Sequence, residues 1–277
     1  MIIQKKAHAK INLYLKISDK RPDGYHNIYT TMQKISLCDD ITIKISAGAS
    51  DINITCSNLS ENIPADNTNT AYKAAESFFL RAGVNGVDLD IAIKKNIPAQ
   101  SGLGGGSSDA AAVLLGLNEY FGHILPENVL LEIAAAIGAD VPFFVKNVNC
   151  AACGGIGEIV TPVETDLPGP YCLIAKPAYN ISTKQAYEDF DRYNNSAQPR
   201  PPSGIYNDFE GLIFSRNGDM EKIKSIILKY GAKAAGLSGS GPALFGIFGV
   251  LSGAQRCAGA LKLMDGVEFC DIFDFLY

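Results

Sequence analysis

Tryptophan is absent from the 277 residues, histidine occurs only three times, and no apolar run approaches the length of a transmembrane helix. The N-terminal segment alternates apolar and polar residues, so it has neither the apolar core of a signal peptide nor the Arg/Ser richness of a transit peptide. The seven cysteines, an odd number scattered along the chain, favour a reducing compartment over a disulfide framework. We therefore expect a cytoplasmic protein.

Charge is also scarce. Charged residues make up 19% of the sequence and the formal net charge is -5, which argues against a protein that binds nucleic acid or an anionic membrane. The hydrophobic fraction of 47% provides enough apolar material for a packed core and excludes a disordered chain. The length favours two domains, which we place at residues 1–160 and 161–277.

Hydrophobic periodicity predicts strands and helices along the whole chain, with a loop excursion at residues 194–204. In chain order, the predicted elements are a strand over 2–17, two short strands within 41–56, a helix over 69–82, a strand over 87–93, helices over 110–120 and 126–137, strands over 156–163 and 172–175, a helix over 219–229, a strand over 243–248, a helix over 253–263 and a strand over 267–273.

The most informative segment is a loop rich in glycine and serine at residues 98–112, between a predicted strand and a predicted helix. Its glycines let several backbone N–H groups converge on one point, because no Cβ blocks the approach or a positive φ. Two serines follow where the helix begins, and their hydroxyls and the free first-turn N–H groups can bind phosphate oxygens. The residues of this predicted phosphate-binding loop are Gly102, Leu103, Gly104, Gly105, Gly106, Ser107 and Ser108.

The loop differs from two common nucleotide-binding motifs. No Lys-Ser or Lys-Thr pair follows the last glycine, as a Walker P-loop requires, and position 107 is serine where a dinucleotide fingerprint has its third glycine. An ordinary flexible turn with a serine cap is the alternative interpretation. Four glycines and two serines that open an alanine-rich helix favour phosphate binding.

The loop resembles the second motif of the GHMP kinase superfamily, which includes galactokinase, homoserine kinase, mevalonate kinase and phosphomevalonate kinase. Residues 9–13, Ala-Lys-Ile-Asn-Leu, resemble the first motif of that superfamily, and residues 236–243, Gly-Leu-Ser-Gly-Ser-Gly-Pro-Ala, resemble the third. The resemblance implies an α+β fold of two domains. The N-terminal domain would be like the second domain of ribosomal protein S5, and the C-terminal domain would be ferredoxin-like.

The same resemblance implies an ATP-dependent kinase that uses Mg²⁺. Asp140, in Gly-Ala-Asp-Val-Pro, would take the proton of the accepting hydroxyl. Lys10 would orient Asp140 and stabilise the anionic transition state, and Asn12 lies on the same strand face as Lys10. From the residues alone, Asp140 could instead accept local N–H groups in a turn, and Lys10 could lie on an exposed strand face.

Four further segments resemble one branch of the superfamily, whose substrate is a cytidine-diphosphate-linked methylerythritol of an isoprenoid pathway. They are residues 21–26, 138–143, 155–162 and 207–210. This resemblance implies that a small-molecule polyol is phosphorylated on its 2-hydroxyl. Tyr25 would stack on the cytosine and His26 would bind its edge, although such a pair is otherwise a surface or core feature.

Other positions are weaker candidates. Tyr187 is our candidate for the opposite face of the cytosine, and Lys146 for the substrate diphosphate, although it could equally be a solvated loop lysine. Asn69 and Lys95 match positions that line the adenine pocket in the superfamily, but a helix cap and a surface charge explain them equally well. The glycine and serine turn that follows could close over the phosphates or form a tight hairpin; it consists of Ser238, Gly239, Ser240 and Gly241.

Two other functions fit part of the pattern. Another GHMP kinase, of the homoserine or mevalonate type, would not account for the Tyr25-His26 pair. A non-catalytic nucleotide-binding regulator would not need both Lys10 and Asp140. Cys150-Ala-Ala-Cys153 has no second pair at metal-binding spacing, so we expect ordinary thiols there rather than a zinc site.

Overall fold

A long antiparallel hairpin is the centre of the fold. The computed structural model describes residues 1–57, 63–193 and 204–277, and the excursion predicted over 194–204 lies outside this part of the chain except for Gly204. β1 (Ile2–Lys20) confirms the predicted first strand. It pairs with β2 (His26–Ala47), and the pairing runs from Ile2 opposite Lys44 to Lys20 opposite His26.

The remaining elements of the first half build one sheet and cover it with helices. In chain order they are β3 (Ile52–Ser57), α1 (Thr70–Ala82), β4 (Val87–Lys94), α2 (Gly105–Tyr120), α3 (Glu127–Ile137), α4 (Val141–Val145), β5 (Cys150–Gly154) and β6 (Ile159–Pro162). β4 lies between β2 and β3, antiparallel to β2 and parallel to β3. β5 pairs with the start of β2, and β6 pairs with β5.

Helix α1 shows how directly the periodicity determines a buried face. Its buried side chains are the five that the sequence predicts: Ala71, Ala74, Ala75, Phe78 and Phe79. Asn69 caps the helix, because its side chain accepts a hydrogen bond from Ala71 N, and Gly83 ends it in the left-handed conformation. The prediction of this helix is confirmed, including both ends.

The second half forms a separate antiparallel sheet of four strands. Its elements are β7 (Tyr171–Pro177), α5 (Thr183–Arg192), β8 (Tyr206–Asn207), α6 (Phe209–Arg216), α7 (Gly218–Lys229), β9 (Ala234–Leu237), β10 (Leu244–Phe248), α8 (Leu251–Lys262) and β11 (Val267–Asp274). The strand order in this sheet is β11-β7-β10-β9. β8 instead pairs in parallel with β1, so a strand of the second half joins the first sheet.

Three hydrophobic clusters fill the molecule, and each of them includes side chains of the β1–β2 hairpin. One cluster lies under α1 and α2, and one lies between the second sheet and its helices. The third contains Ile11 and Ile35 of the hairpin together with Ile174 and Phe245 of the second sheet, so it joins the two halves. Among the described residues, no helix combines the length and the apolar character that crossing a membrane requires.

A buried ion cluster connects the core to the start of α2. Lys95 Nζ contacts Asp39 of β2 and lies 2.6 Å from Asp109 Oδ2 of α2, and all three side chains are buried. Asp39 Oδ1 also accepts from the backbone N–H groups of Asn96 and Ile97, at 2.6 and 2.8 Å. The cluster therefore fixes the end of β4, the segment that leads into the glycine loop and the helix that follows that loop.

Two carboxylates share one ammonium group in this cluster. Burial raises the pKa of Asp109 to about 7; the negative charge of Asp39 adds to this effect, and Lys95 opposes it. Asp109 Oδ1 has no hydrogen-bond partner in the described part of the chain. One carboxylate is enough to balance Lys95, so a second negative charge in the core is disfavoured.

This shift predicts an unusual pH dependence of stability. The native carboxyl of Asp109 holds its proton more tightly than the unfolded chain does, so stability is lost as pH rises through its native pKa. Relative to Asp109→Asn, whose amide has no proton to lose in this range, the free energy of unfolding of the wild type should fall by on the order of 2 kcal/mol between about pH 5.5 and about pH 8. Urea titrations of both proteins at the two pH values measure it, and parallel pH profiles would contradict it.

Candidate active site

A cavity of about 630 Å³ opens between the hairpin, the glycine loop and α5. Most of the predicted catalytic and cytosine-binding residues line it, together with parts of the two glycine turns. The predicted site residues in its wall are Lys10, Asn12, Tyr25, His26, Gly102, Ser107, Asp140, Tyr187, Gly239 and Ser240.

The two predicted catalytic residues are in contact. Lys10 Nζ lies 3.2 Å from Asp140 Oδ2, although 130 residues separate them, and Lys10 is almost fully buried while Asp140 is partly open to the cavity. Asp140 is the residue before α4, yet its side chain caps no N–H group of that helix. The carboxylate therefore does not have the local turn role that the sequence left open, and it faces Lys10 instead.

Asn12 holds the ammonium group of Lys10 from the other side. Lys10 Nζ donates to Asn12 Oδ1 at 2.6 Å, and Asn12 Nδ2 donates to Thr30 Oγ1 at 2.8 Å. Thr30 in turn donates to the carbonyl oxygen of Tyr14 at 2.6 Å. Because each partner is itself fixed, the chain of hydrogen bonds gives Lys10 one position beside Asp140.

The glycine loop leads directly into α2. Gly102 and Gly104 have φ values of +81° and +76°, in the region that favours glycine, and Gly104 is the residue before the helix. The helix starts at Gly105, earlier than the prediction of residue 110, so Ser107 and Ser108 lie within its first turn. The free N–H groups of this turn and the Ser107 hydroxyl form the type of site that binds phosphate oxygens.

The loop is held on both sides by hydrogen bonds to its backbone carbonyl oxygens. Lys10 N donates to the carbonyl oxygen of Leu103 at 2.9 Å, and Ser238 Oγ donates to that of Gly102 at 2.9 Å. A Cβ on Gly102 would lie 2.1 Å from the carbonyl oxygen of Ser238, so only glycine fits. The second and third motifs thus pack against each other beside the first.

The second glycine turn is fixed by Asn207, the last residue of β8. Asn207 Nδ2 donates to the carbonyl oxygens of Leu237 and Gly239, both at 2.8 Å. Ser240 Oγ lies 2.9 Å from the hydroxyl oxygen of Thr183, at the start of α5. The turn therefore connects the first sheet, the glycine loop and α5 around the cavity.

The aromatic residues lie in another part of the cavity wall. The ring of His26 stacks on that of Tyr187 with 5.4 Å between centroids and 16° between planes. Tyr25 is 60% exposed and lines the cavity from the turn between β1 and β2. His26 Nε2 lies 2.8 Å from Asp191 Oδ1, and Lys20 contacts the other oxygen of Asp191.

Besides the remaining residues of the two glycine turns, three predicted binding residues lie away from this cavity wall. Asn69 caps α1 and its Nδ2 donates to the carbonyl oxygen of Pro64 at 2.6 Å. Lys95 is not a surface charge, because its ammonium group lies in the buried ion cluster. Lys146 is partly exposed, 3.7 Å from Glu127 Oε1, and is not part of the cavity wall.

The cysteine pair of β5 lies next to β2, with Cys153 opposite Thr30, but does not line the cavity. Cys150 and Cys153 are buried free thiols. Burial raises the pKa of Cys153 to about 12, which keeps this sulfur protonated and a poor nucleophile.

Four residues of the site were not identified from the sequence: Thr30, Thr183, Asp191 and Asn207. Thr30 and Thr183 carry no sequence signal, because their roles depend on contacts between distant segments. Asn207 lies in the segment 207–210 that contributed to the resemblance, so it could have been identified there. Asp191 follows Tyr187 by one helical turn, and the i, i+4 spacing is the signal that could have connected it to the same surface.

Comparisons with known proteins agree with this geometry. Residues 69–147 match the family model "GHMP kinases N terminal domain" and residues 186–262 match "GHMP kinases C terminal". The chain is 42% identical over 274 residues to 4-diphosphocytidyl-2-C-methyl-D-erythritol kinase of Caldicellulosiruptor saccharolyticus, covering 93% of this chain and 92% of the relative. It is 40% identical over 253 residues to the enzyme of the same name from Geobacter metallireducens, covering 88% of each chain.

Solved structures of GHMP kinases share the fold of this chain. A crystal structure of 4-(cytidine 5'-diphospho)-2C-methyl-D-erythritol kinase superposes with a TM-score of 0.80 at 28% identity, covering 98% of this chain and 99% of the other. Homoserine kinase from Cytophaga hutchinsonii shares the fold, with a TM-score of 0.66 at 16% identity, covering 99% of this chain and 94% of the other. Since relatives at 40–42% identity span nearly all of the sequence, the chain belongs to the 4-diphosphocytidyl-2-C-methyl-D-erythritol kinase family of GHMP kinases and is an ATP-dependent kinase.

Proposed function

We propose that this kinase transfers the γ-phosphoryl group of ATP to the 2-hydroxyl of 4-diphosphocytidyl-2-C-methyl-D-erythritol, in isoprenoid biosynthesis by the methylerythritol phosphate route. The observation that carries the proposal is the contact of 3.2 Å between Lys10 and Asp140 in the wall of the cavity. Gly102 and Ser107 of the glycine loop line the same cavity, as do Tyr25 and His26. A phosphate donor and a cytidine-containing acceptor can therefore meet at one carboxylate.

Asp140 is the general base of this proposal. Its carboxylate faces the cavity and takes the proton of the accepting hydroxyl as the oxygen attacks phosphorus. Lys10 keeps the carboxylate oriented and places a positive charge where the anionic transition state forms. Asn12 and Thr30 hold Lys10 in place through their hydrogen bonds.

The glycine loop and the third-motif turn hold the ATP phosphates in this proposal. The N–H groups of the first turn of α2 and the Ser107 hydroxyl supply donors. Gly239 and Ser240 face the same cavity across the loop. The adenine-binding roles of Asn69 and Lys95 stay predictions. Both side chains already make the intramolecular contacts described above, and these contacts do not themselves support a role in binding adenine.

Mg²⁺ fits these residues as an ion that arrives with ATP. The described residues contain no group of three or more His, Cys, Asp or Glu side chains that could hold a metal ion by themselves. Mg²⁺ in phosphoryl-transfer sites is bound through one or two protein oxygens together with the substrate phosphates. Ser107 would supply one such oxygen, and the ion would neutralise charge on the phosphates.

The aromatic residues form the cytosine site of this proposal. A base that hydrogen-bonds to the edge of His26 is coplanar with that ring, and the Tyr187 ring is nearly parallel to it. The base would therefore stack on Tyr187 while its edge contacts His26, and Tyr25 would cover the other face. Lys146 lies outside the cavity wall, so its predicted contact with the diphosphate has no support from its position.

The finer assignments of fold and location are also part of the proposal. The order β11-β7-β10-β9, with helices between β7 and β9 and between β10 and β11, supports a ferredoxin-like second domain. A boundary between β6, which ends at Pro162, and β7, which begins at Tyr171, supports the two predicted domains. All seven cysteines are free, which supports the reducing environment of the cytoplasm.

The base assignment predicts that Asp140→Asn lowers kcat by at least about 100-fold. The amide keeps the size of the side chain but cannot accept the proton, so the dissociation constants of both substrates should stay within about threefold. Glu188→Gln is the matched control, because Glu188 lines the same cavity and has no described contact with Lys10. Single-turnover phosphorylation measures the step, and a rate for Asp140→Asn equal to that of the control would refute the assignment.

The cytosine site predicts that Tyr25→Ala weakens the cytidine substrate by about tenfold to a hundredfold, since stacking is worth about 1–3 kcal/mol per base. The KM for ATP should change by less than about threefold, because the glycine loop is a different segment. Tyr29→Ala is the control, since Tyr29 is an exposed tyrosine of β2 that is not part of the cavity wall. Equal losses for both variants in substrate titrations would exclude a stacking role for Tyr25.

The packing of the two glycine turns predicts that Gly102→Ala lowers kcat/KM for ATP by about tenfold to a hundredfold, because the new Cβ must displace the loop from Ser238. Gly122→Ala separates this collision from backbone strain. Gly122 has a φ of +71°, but a Cβ there meets no atom within 4 Å. Steady-state kinetics and thermal unfolding of both variants test the prediction, and loss of stability without loss of ATP usage in Gly102→Ala would contradict it.

A further inference from the structure

The ion pair beside His26 determines which ring nitrogen of the histidine faces the substrate. His26 Nε2 lies 2.8 Å from Asp191 Oδ1, where the side chain of His26 is nearly buried. Its other ring nitrogen, Nδ1, has no hydrogen-bond partner in the part of the chain that the structure describes. Since His26 lines the cavity, this nitrogen is the one available to a bound base.

Asp191 is held as a carboxylate. Lys20, the last residue of β1, contacts Asp191 Oδ2 and lies opposite His26 across the hairpin. The hydrogen bond from Lys20 lowers the pKa of Asp191, and the contact with His26 lowers it further. An ionised carboxylate only accepts hydrogen bonds, so His26 Nε2 must be the donor.

A neutral imidazole carries one proton. If Nε2 holds it, Nδ1 has a free lone pair and acts as an acceptor. The amino group of cytosine is a donor that matches this acceptor, whereas uracil has a carbonyl oxygen at the same ring position. Two acceptors facing each other leave both lone pairs unsatisfied, which discriminates more strongly than stacking does.

We propose that Asp191, fixed by Lys20, sets the tautomer of His26 and thereby makes the kinase select a pyrimidine with an amino group over one with a carbonyl oxygen. Asp191 is a positioning residue, since it acts on the base through His26. The inference rests on the proposed cytosine site and adds the source of its preference for cytosine.

Asp191→Asn reverses the direction of the hydrogen bond between His26 Nε2 and residue 191. Lys20 needs an acceptor, so the amide oxygen of the new side chain would face Lys20 and its NH₂ group would face His26. Nε2 then accepts, and the proton moves to Nδ1. We expect the ratio of kcat/KM for the cytidine form to kcat/KM for the uridine form of the substrate to fall by at least about fivefold, the equivalent of one neutral hydrogen bond.

Two comparison variants make the result decisive. Glu188→Gln removes a negative charge from the same helix and the same cavity wall, and should leave the cytidine preference unchanged. If the cytosine site is correct, His26→Ala should lower the ratio of kcat/KM for the cytidine form to kcat/KM for the uridine form. If His26→Ala lowers it and Asp191→Asn does not, the tautomer inference is overturned while the proposed function stands. If His26→Ala leaves the preference unchanged, the cytosine site and the inference both fall.

A spectroscopic measurement tests the tautomer without any change of substrate. The chain has three histidines, His8, His26 and His123, so the imidazole nitrogens can be assigned from ¹⁵N-labelled protein and the His26→Ala variant. With the ring neutral, two-bond ¹H–¹⁵N spectra should show the proton of His26 on Nε2 in the wild type and on Nδ1 in Asp191→Asn. A wild-type ring protonated on Nδ1, or the same tautomer in both proteins, overturns the inference.

Discussion

Backbone hydrogen bonds join β1 to β2 from Ile2 opposite Lys44 to Lys20 opposite His26, and each of the three hydrophobic clusters packs on this hairpin. The pairing also determines the site. Lys10 and Asn12 lie on β1, and His26 and Thr30 lie on β2, so the register of one strand pair sets their relative positions. The glycine loop and the segments of the second half then complete the cavity around this hairpin.

Local patterns predicted the elements that bury a simple apolar face, such as α1 and β4. They did not predict the first half of β2, because its buried side chains include Thr30, Gln33 and Lys34, which interrupt the apolar alternation. Nor did they predict α5, in which Ala186 and Asp189 are the buried residues. This helix is amphipathic, but it packs through the partly buried rings of Tyr187 and Phe190 and has few strongly apolar residues to mark its buried face.

The sequence indicated the contact of Lys10 with Asp140 and the glycine loop because those residues lie in short contiguous motifs. It could not indicate the cluster of Asp39, Lys95 and Asp109, since three separate segments supply one ionisable side chain each and only the folded chain brings them together. The same holds for His26 and Asp191, which are 165 residues apart. Residue types in a motif suggest chemistry, whereas the state of a side chain depends on neighbours that no local pattern contains.

The hairpin also fixes the distance between two parts of the cavity. Thr30, which is connected to Lys10 through Asn12, follows His26 by four residues along β2, a separation of about 13 Å in an extended strand. Both ends belong to one strand that is paired along its length, so this separation cannot adjust to a shorter or longer acceptor. Under the proposed function, a polyol without the nucleotide, or with a single phosphate as its link, could occupy one end of the cavity but could not reach both. The kinase would thus recognise the length of its substrate as well as its base.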